Sequence, residues 1–106
     1  MNATTESVLH LGNDITIDLL AGEVKKGSEV QPLTRNEWKL LSYLAKNKGR
    51  IVKNENLRSC LWPAPHMDRN KELYAYIGQL RKKLENFPNE PQYLISVRGK
   101  GYLLKG

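Results

Sequence analysis

Apolar residues recur at helical spacing between residues 73 and 84. Leu73, Ile77, Leu80 and Leu84 follow one another at intervals of four, three and four residues. At about 3.6 residues per turn, these side chains form one stripe along an α-helix. We therefore predict an amphipathic helix within residues 68–85 that packs this stripe into the core of the protein.

The face of this helix opposite the apolar stripe carries positive charge around small side chains. It is formed by Lys71, Tyr74, Ala75, Gly78, Gln79, Arg81 and Lys82. Such a face is common on an ordinary surface helix, where the charged side chains are simply solvated. The same face could also lie in the major groove of DNA, which is wide enough to admit an α-helix. The choice between these two interpretations depends on the rest of the chain.

The first third of the chain has the two-residue period of β-strands. In the segment 14–19, apolar Ile15, Ile17 and Leu19 alternate with polar residues, which is typical of a half-buried strand. Shorter segments with strand character are 8–11, 23–26 and 29–31. We predict a four-stranded antiparallel sheet over residues 8–32, preceded at residues 1–7 by a disordered or vector-derived tail.

A helix is predicted to begin at Thr34. The Thr34 hydroxyl can cap the helix N-terminus, and Glu37, three residues later, can complete a capping box. The apolar stripe of this helix consists of Trp38, Leu41, Leu44 and Ala45, with Leu40 beside it. Gly49 is expected to end the helix, because glycine is favoured just after a helix C-terminus.

A second, shorter helix is predicted over residues 54–61. Its inner face is formed by Leu57, Cys60 and Leu61. We interpret Cys60 as a buried structural residue, because no neighbour in the sequence would lower the pKa of its thiol. Asp68 or Asn70 is expected to cap the third helix, which completes a three-helix core over residues 34–86.

A β-hairpin is predicted over residues 92–105, with its strands at 93–97 and 102–104. The turn between the strands consists of Arg98, Gly99, Lys100 and Gly101. The two glycines permit positive φ angles in this turn. The two cations would then lie at the tip of the hairpin.

Composition indicates one domain with a polyanion-binding surface. The chain has 106 residues, enough for one hydrophobic core, and a single cysteine, which permits no internal disulfide. Its formal charge of +6 is uneven, since residues 1–33 carry −3 and residues 34–106 carry +9. A membrane surface would also attract this charge, but no segment has the apolar face of an interfacial helix or the length of a membrane span. We expect a cytoplasmic protein.

Three helices followed by a charged hairpin are the layout of a winged helix-turn-helix. Four motifs make the likeness more specific, and a four-stranded sheet precedes them. They are Leu33-Thr-Arg-Asn-Glu-Trp-Lys-Leu-Leu41, Gly49-Arg-Ile-Val52 with Leu57 and Trp62, Ile77-x-x-Leu-Arg-Lys-Lys-Leu84, and Val97-Arg-Gly-Lys-Gly-Tyr102. From residue 8 to residue 104, the chain resembles the DNA-binding effector domain of OmpR/PhoB-type response regulators.

The resemblance implies an α+β winged helix-turn-helix fold and a function in regulating transcription. In that family the third helix reads the major groove of double-stranded DNA, and the hairpin, or wing, enters the neighbouring minor groove. Here the minor-groove residue would be Arg98, unless it merely pairs with an acid near the sheet. Ser96 and Lys100 would join it in the wing contact, and Arg81 matches a position that often contacts phosphate.

The resemblance also implies partners. The loop before the third helix can contact RNA polymerase in this family, and here it is formed by Pro63, Ala64, Pro65, His66, Met67, Asp68 and Arg69. Two copies of the domain are expected to pair head to tail on DNA. Because family members usually carry a phosphorylated receiver domain in front, we interpret the chain as a fragment of a two-component regulator.

The chain departs from the family pattern at two places. Lys53 stands where Ser or Thr commonly precedes the second helix, so that cap is expected to be weaker or to move to Asn54. Gly78 and Gln79 stand where several relatives carry arginine. Gly78 costs the helix up to about 1 kcal/mol relative to alanine. Gln79 is the candidate for direct base readout, because its amide can pair with adenine.

Two other classes of function compete with DNA binding. An enzyme is disfavoured, because His10, His66 and Cys60 lie in unrelated segments and no paired carboxylates or phosphate-binding loop appear. The sequence indicates no metal site and no cofactor. A winged-helix module that binds protein and has lost DNA binding stays open, since a fold does not fix a function. The charge of residues 34–106 favours DNA over that alternative.

Overall fold

A computed structural model of the chain describes residues 7–62 and 69–105. The strands are β1 (Val8–Leu11), β2 (Ile15–Asp18), β3 (Glu23–Lys26), β4 (Glu29–Pro32), β5 (Val52–Lys53), β6 (Leu94–Val97) and β7 (Gly101–Leu104). The helices are α1 (Arg35–Lys46), α2 (Asn54–Leu61) and α3 (Asn70–Leu84). The predicted α+β winged helix-turn-helix fold, with its N-terminal sheet and C-terminal hairpin, is confirmed.

Strands β1 to β4 form an antiparallel sheet in sequence order. Ile17 on β2 pairs with Leu9 on one side and with Val24 on the other. The side chains of these three residues are all buried, while the alternate positions are exposed or half-buried. The predicted one-sided sheet is therefore confirmed. Ser7 accepts a hydrogen bond from the Leu19 N–H at 2.7 Å, whereas residues 1–6 of the expected tail lie outside the described part of the chain.

Helix α1 begins as predicted, and its buried stripe keeps the predicted leucines but contains Glu37 instead of Trp38 and Ala45. The Thr34 hydroxyl accepts from the Glu37 N–H at 3.3 Å, and Glu37 Oε1 accepts from the Thr34 N–H at 2.9 Å. Trp38, placed in the core by the pattern, is 42% exposed, and its indole N–H donates to the Leu19 carbonyl at 2.8 Å. The buried stripe is Glu37, Leu40, Leu41 and Leu44. The capping carboxylate of Glu37 occupies the inward position, which turns Trp38 to the border of the core.

The ends of the helices differ from the sequence expectations at two places and agree with them at a third. Helix α1 stops at Lys46, and Gly49, with φ +83°, lies in the turn beyond it. Lys53 occupies the N-cap of α2 without a side-chain cap bond, which confirms the weaker cap. The cap assigned to Asn70 is wrong, because Asn70 is already helical and its Oδ1 accepts from Arg58 at 2.6 Å. The other candidate cap, Asp68, lies outside the described residues.

The wing is part of a three-stranded sheet in the order β5-β7-β6. Tyr102 on β7 pairs with Val52 on one side and with Ser96 on the other. Gly99 has a positive φ, at +74°, but Gly101 does not. A Cβ at position 101 would collide with the Val52 carbonyl. Glycine is therefore needed at 101 for the close approach of β5, and not for the turn.

Candidate nucleic-acid interface

Helix α3 has the two faces that the sequence predicted. The side chains of Leu73, Ile77, Leu80 and Leu84 are buried in the core. On the other face, Lys71, Tyr74, Ala75, Gln79 and Lys82 are exposed, and Gly78 and Arg81 are partly exposed. The structure thus gathers the seven predicted recognition-helix residues on one accessible side of α3.

The flanks of α3 are fixed by polar contacts with α1 and the N-terminal sheet. Lys83 Nζ lies 2.5 Å from Glu37 Oε1 and donates to the Pro32 carbonyl at 2.7 Å. The Asn36 amide donates to the Tyr76 hydroxyl at 2.8 Å. The sequence pattern missed Lys83 because a lysine at the border of an apolar stripe is ordinarily solvated. These contacts set the rotation of α3 about its axis, and so the face that it presents.

Glu85, at the end of α3, joins the helix to the wing. Its side chain is 1% exposed. The carboxylate accepts backbone N–H groups from Gln92 at 2.7 Å, Tyr93 at 2.9 Å and Leu94 at 2.8 Å. An acid at a helix C-terminus is disfavoured by the helix dipole. An acidic residue at this unfavourable position was the feature of the sequence that could have indicated a structural role for Glu85.

Arg81 lies on the shoulder of α3 and points to the wing. Its Nε and Nη2 donate to the Leu94 carbonyl at 3.0 and 2.9 Å, and Nη2 also donates to the Ser96 hydroxyl at 2.9 Å. Its Cζ lies 5.8 Å from the ring centroid of Tyr102. Two predicted site residues, Arg81 and Ser96, are thus hydrogen-bonded to each other.

Tyr102 forms the floor between α3 and the wing. Burial raises the pKa of the Tyr102 hydroxyl above its ordinary value of 10.0. The Arg81 charge and a hydrogen bond with Ser96 act in the opposite direction, and nearby Tyr74 adds to the rise. Tyr102 is therefore a neutral phenol at physiological pH, packed where the helix meets the hairpin.

The tip of the wing carries exposed charge. The side chains of Arg98 and Lys100 are exposed on either side of Gly99. The ion pairs within residues 7–62 and 69–105 do not include Arg98. The alternative in which Arg98 pairs with an acid near the sheet therefore has no support there, and the guanidinium is accessible to a ligand.

A groove of about 760 Å³ separates the wing tip from the start of α2 and α3. Its lining is Ile51, Lys53, Asn54, Glu55, Arg58, Asn70, Gly99 and Lys100. A second groove, of about 310 Å³, continues past Lys71, Tyr74 and Tyr102. The sequence did not single out Lys53 and Arg58 as ligand-facing, because Lys53 precedes α2 and Arg58 lies on it, outside the helix and hairpin expected to contact DNA. They extend the basic surface between the two predicted DNA-contacting elements.

The predicted polymerase-contact loop falls mostly outside the described residues, since only Arg69 of the seven is described. The Arg69 guanidinium carbon lies 4.9 Å from the ring centroid of Trp62, and Nη1 lies 3.3 Å from Glu72 Oε2. Arg69 is thus held against the ends of α2 and α3. The structure adds nothing on Pro63, Ala64, Pro65, His66, Met67 and Asp68.

Chemically reactive groups are dispersed over the described part of the chain. No three His, Cys, Asp or Glu residues cluster there as a metal site would need. Cys60 is only partly buried and not fully buried as expected. Its burial raises the pKa of the thiol, against a smaller opposing effect of Lys39, and Sγ lies 3.5 Å from the Lys39 carbonyl oxygen. His10 is exposed on β1. None of the helices described is long and apolar enough to cross a bilayer.

Residues 27–104 match the family described as "Transcriptional regulatory protein, C terminal". The transcriptional regulatory protein KdpE of Mycobacterium tuberculosis (strain ATCC 25618 / H37Rv) is 37% identical over 91 residues. That match covers 85% of this chain and 40% of KdpE. The chain therefore spans about two-fifths of the length of this curated relative.

Solved structures agree with the sequence match. The response regulator DrrB of Thermotoga maritima, an OmpR/PhoB homologue, superposes with a TM-score of 0.81 at 28% identity, over 94% of this chain and 45% of DrrB. The Klebsiella pneumoniae RstA DNA-binding domain, in complex with the RstA box, superposes with a TM-score of 0.77 at 29% identity. This match covers 94% of this chain and 98% of the RstA domain. This chain belongs to the family of C-terminal DNA-binding effector domains of OmpR/PhoB-type transcriptional regulators, which is not an enzyme family.

Proposed function

We propose that this domain binds specific sequences in double-stranded DNA, with α3 in the major groove and the wing in the adjacent minor groove. The observation that carries the proposal is the set of basic side chains on the exposed face of α3, along the 760 Å³ groove and at the wing tip. A single surface of this kind can follow one DNA backbone from groove to groove. The RstA domain, whose structure contains the RstA box, lends support at 29% identity.

Each exposed side chain on this surface has a proposed role. Lys71 and Lys82 contact phosphates at the two ends of the recognition face. Gln79 reads a base edge, and Ala75 and Gly78 let the helix approach the bases closely. In the wing, Arg98 enters the minor groove and Lys100 binds backbone phosphate. Tyr74 on α3 and Ser96 on β6 contact the DNA between the α3 residues and the wing residues.

The rival function is a winged helix that binds protein and has lost DNA binding. Gly78 and Gln79 favour this rival, because they leave the centre of α3 without a cation. Selection from a random duplex pool, followed by titration of the winner at two salt concentrations, separates the two. Phosphate contacts predict that log Kd rises with log salt by about 0.9 per neutralised phosphate. A pool without enrichment, or a flat salt response, would support the rival.

The wider context of the domain is also a proposal. We infer that residues 8–106 of this chain are the DNA-binding domain of a cytoplasmic two-component response regulator, whose full protein also contains a receiver domain. The domain works without metal or cofactor and catalyses no reaction. On DNA it pairs head to tail with a second copy, on half-sites about one helical turn apart. Footprints confined to one half-site at saturating protein would contradict the pairing.

Contact with RNA polymerase is proposed for residues 63–69. This part of the proposal rests on the family alone. Alanine substitution of this loop should abolish activation of a reporter while leaving operator affinity unchanged. Equal activation by the variant and the wild type would remove the loop from the mechanism.

A further inference from the structure

We propose that Arg81 is a positioning residue, which sets the wing against α3 and so delivers Arg98 to the minor groove. The inference rests on the proposed DNA-binding function and deepens it. It gives Arg81 a different task from the phosphate contact that its place in the family motif suggests. The guanidinium acts through β6, and its effect on DNA binding depends on the wing.

Leu94, at the start of β6, is hydrogen-bonded to the end of α3 through its N–H and its carbonyl. Strand β6 is an edge strand, since the wing sheet has the order β5-β7-β6. The outward N–H of Leu94 donates to Glu85 Oε2 at 2.8 Å, and its carbonyl accepts from Arg81 Nε and Nη2 at 3.0 and 2.9 Å. Both polar groups of this edge residue are thus bonded to side chains at the end of α3. The start of β6 has a fixed place relative to the recognition helix.

Arg81 makes a second contact with β6, closer to the tip of the wing. Arg81 Nη2 also donates to the Ser96 hydroxyl at 2.9 Å, two residues further along β6. Two contacts at alternate residues define a direction as well as a position. Arg98 comes immediately after β6 ends at Val97. The orientation imposed by Arg81 is therefore passed over a very short distance to the residue that enters the minor groove.

An arginine, rather than a lysine, fits these contacts at position 81. The planar guanidinium makes two forked hydrogen bonds to one carbonyl and a third to a hydroxyl, and its Cζ lies 5.8 Å from the centroid of the Tyr102 ring. Lysine has one nitrogen and cannot reproduce this arrangement, although it keeps the positive charge. A pure phosphate contact would tolerate lysine. Arg81→Lys therefore separates positioning from charge.

A double-mutant cycle between Arg81 and Arg98 tests the inference. Affinities are measured for the wild type, Arg81→Lys, Arg98→Ala and the double variant on a selected duplex with A·T flanks. Arg81→Lys should weaken binding about tenfold in the wild type, but less than about twofold once Arg98 is alanine. Lys82→Met is the matched control, and its loss should be the same factor in both backgrounds. Equal factors for Arg81→Lys in the two backgrounds would overturn the proposal.

Folding and the parent function are checked separately. If Arg81→Lys does not fold, Ser96→Ala replaces it in the cycle, because Ser96 is exposed and its loss removes one Arg81 contact. Coupling of Ser96→Ala to Arg98→Ala supports positioning, and additivity overturns it. In the free protein, Arg81→Lys should shift the amide resonances of β6, which Lys82→Met should leave in place. If the wild type enriches no duplex, the DNA-binding proposal itself fails. If the wild type binds DNA but the effects of the variants are additive, only the positioning role of Arg81 fails.

Discussion

Lys83 and Glu37 form an ion pair, with 2.5 Å between Nζ and Oε1, and the Glu37 side chain is only 2% exposed. Glu37 also closes the capping box of α1 with Thr34. One buried carboxylate therefore joins the start of α1 to the last turn of the recognition helix. The face that α3 presents to solvent therefore depends on a contact on its flank.

Removing one member of this pair should be costly. Glu37→Ala removes the carboxylate that pairs with Lys83 and opens the cap, and we expect the free energy of unfolding to fall by roughly 3 kcal/mol. Urea denaturation measures the loss. Lys46→Met, at an exposed position of the same helix, should change stability by less than about 0.5 kcal/mol. A Glu37→Ala loss as small as that of the control would contradict the role given to the pair.

Glu85 should be as important for stability, for a different reason. Glu85→Ala strips three backbone N–H groups of their acceptor. A buried unsatisfied donor costs about 1–3 kcal/mol, and of the three bonds the one from Leu94 is buried. We therefore expect a loss of at least about 1–3 kcal/mol and faster amide exchange at Leu94. Glu90→Ala serves as the control, because Glu90 is exposed on the same loop. Unchanged exchange at Leu94 would argue against Glu85 as the link between α3 and the wing.

Two glycines should respond to alanine in opposite directions. A Cβ at Gly78 would meet nothing within 4 Å, so Gly78→Ala should stabilise the domain by up to about 1 kcal/mol. A Cβ at Gly101 would collide with the Val52 backbone, so Gly101→Ala should destabilise it. Thermal unfolding of both variants and of the wild type shows whether each substitution raises or lowers the stability. Two shifts of the same sign would contradict this explanation of why the residues are glycine.

Sequence periodicity located the elements, since the faces of α3, the order of the strands and the capping box follow from local rules. It failed where a polar side chain makes a long-range contact. Glu37 took the buried position expected for an apolar residue because Lys83, 46 residues away, supplies its partner. Arg81 looked like a free cation for the same reason. Its acceptors are on β6, and local patterns do not show tertiary hydrogen bonds.

Gln79 is the strongest candidate for reading a base. It is exposed at the centre of α3, and an amide can make two hydrogen bonds to adenine. Gln79→Ala should lower discrimination at one base pair by about 1–3 kcal/mol while leaving the rest of the selected consensus in place. Binding-site selection with both proteins makes the comparison, with Lys82→Met as a control that weakens all sequences alike. An identical consensus for wild type and Gln79→Ala would make Gln79 a solvated surface residue.

The simultaneous use of two grooves can be read from one duplex by methylation protection. Dimethyl sulfate reports guanine N7 in the major groove and adenine N3 in the minor groove. With wild-type protein, we expect N7 protection at the core site and N3 protection in an A·T flank. Arg98→Ala should lose the N3 protection and keep the N7 protection at saturating protein, because the wing and α3 read different grooves. Protection in only one groove with the wild type, or loss of both signals together in Arg98→Ala, would contradict the assignment of α3 and the wing.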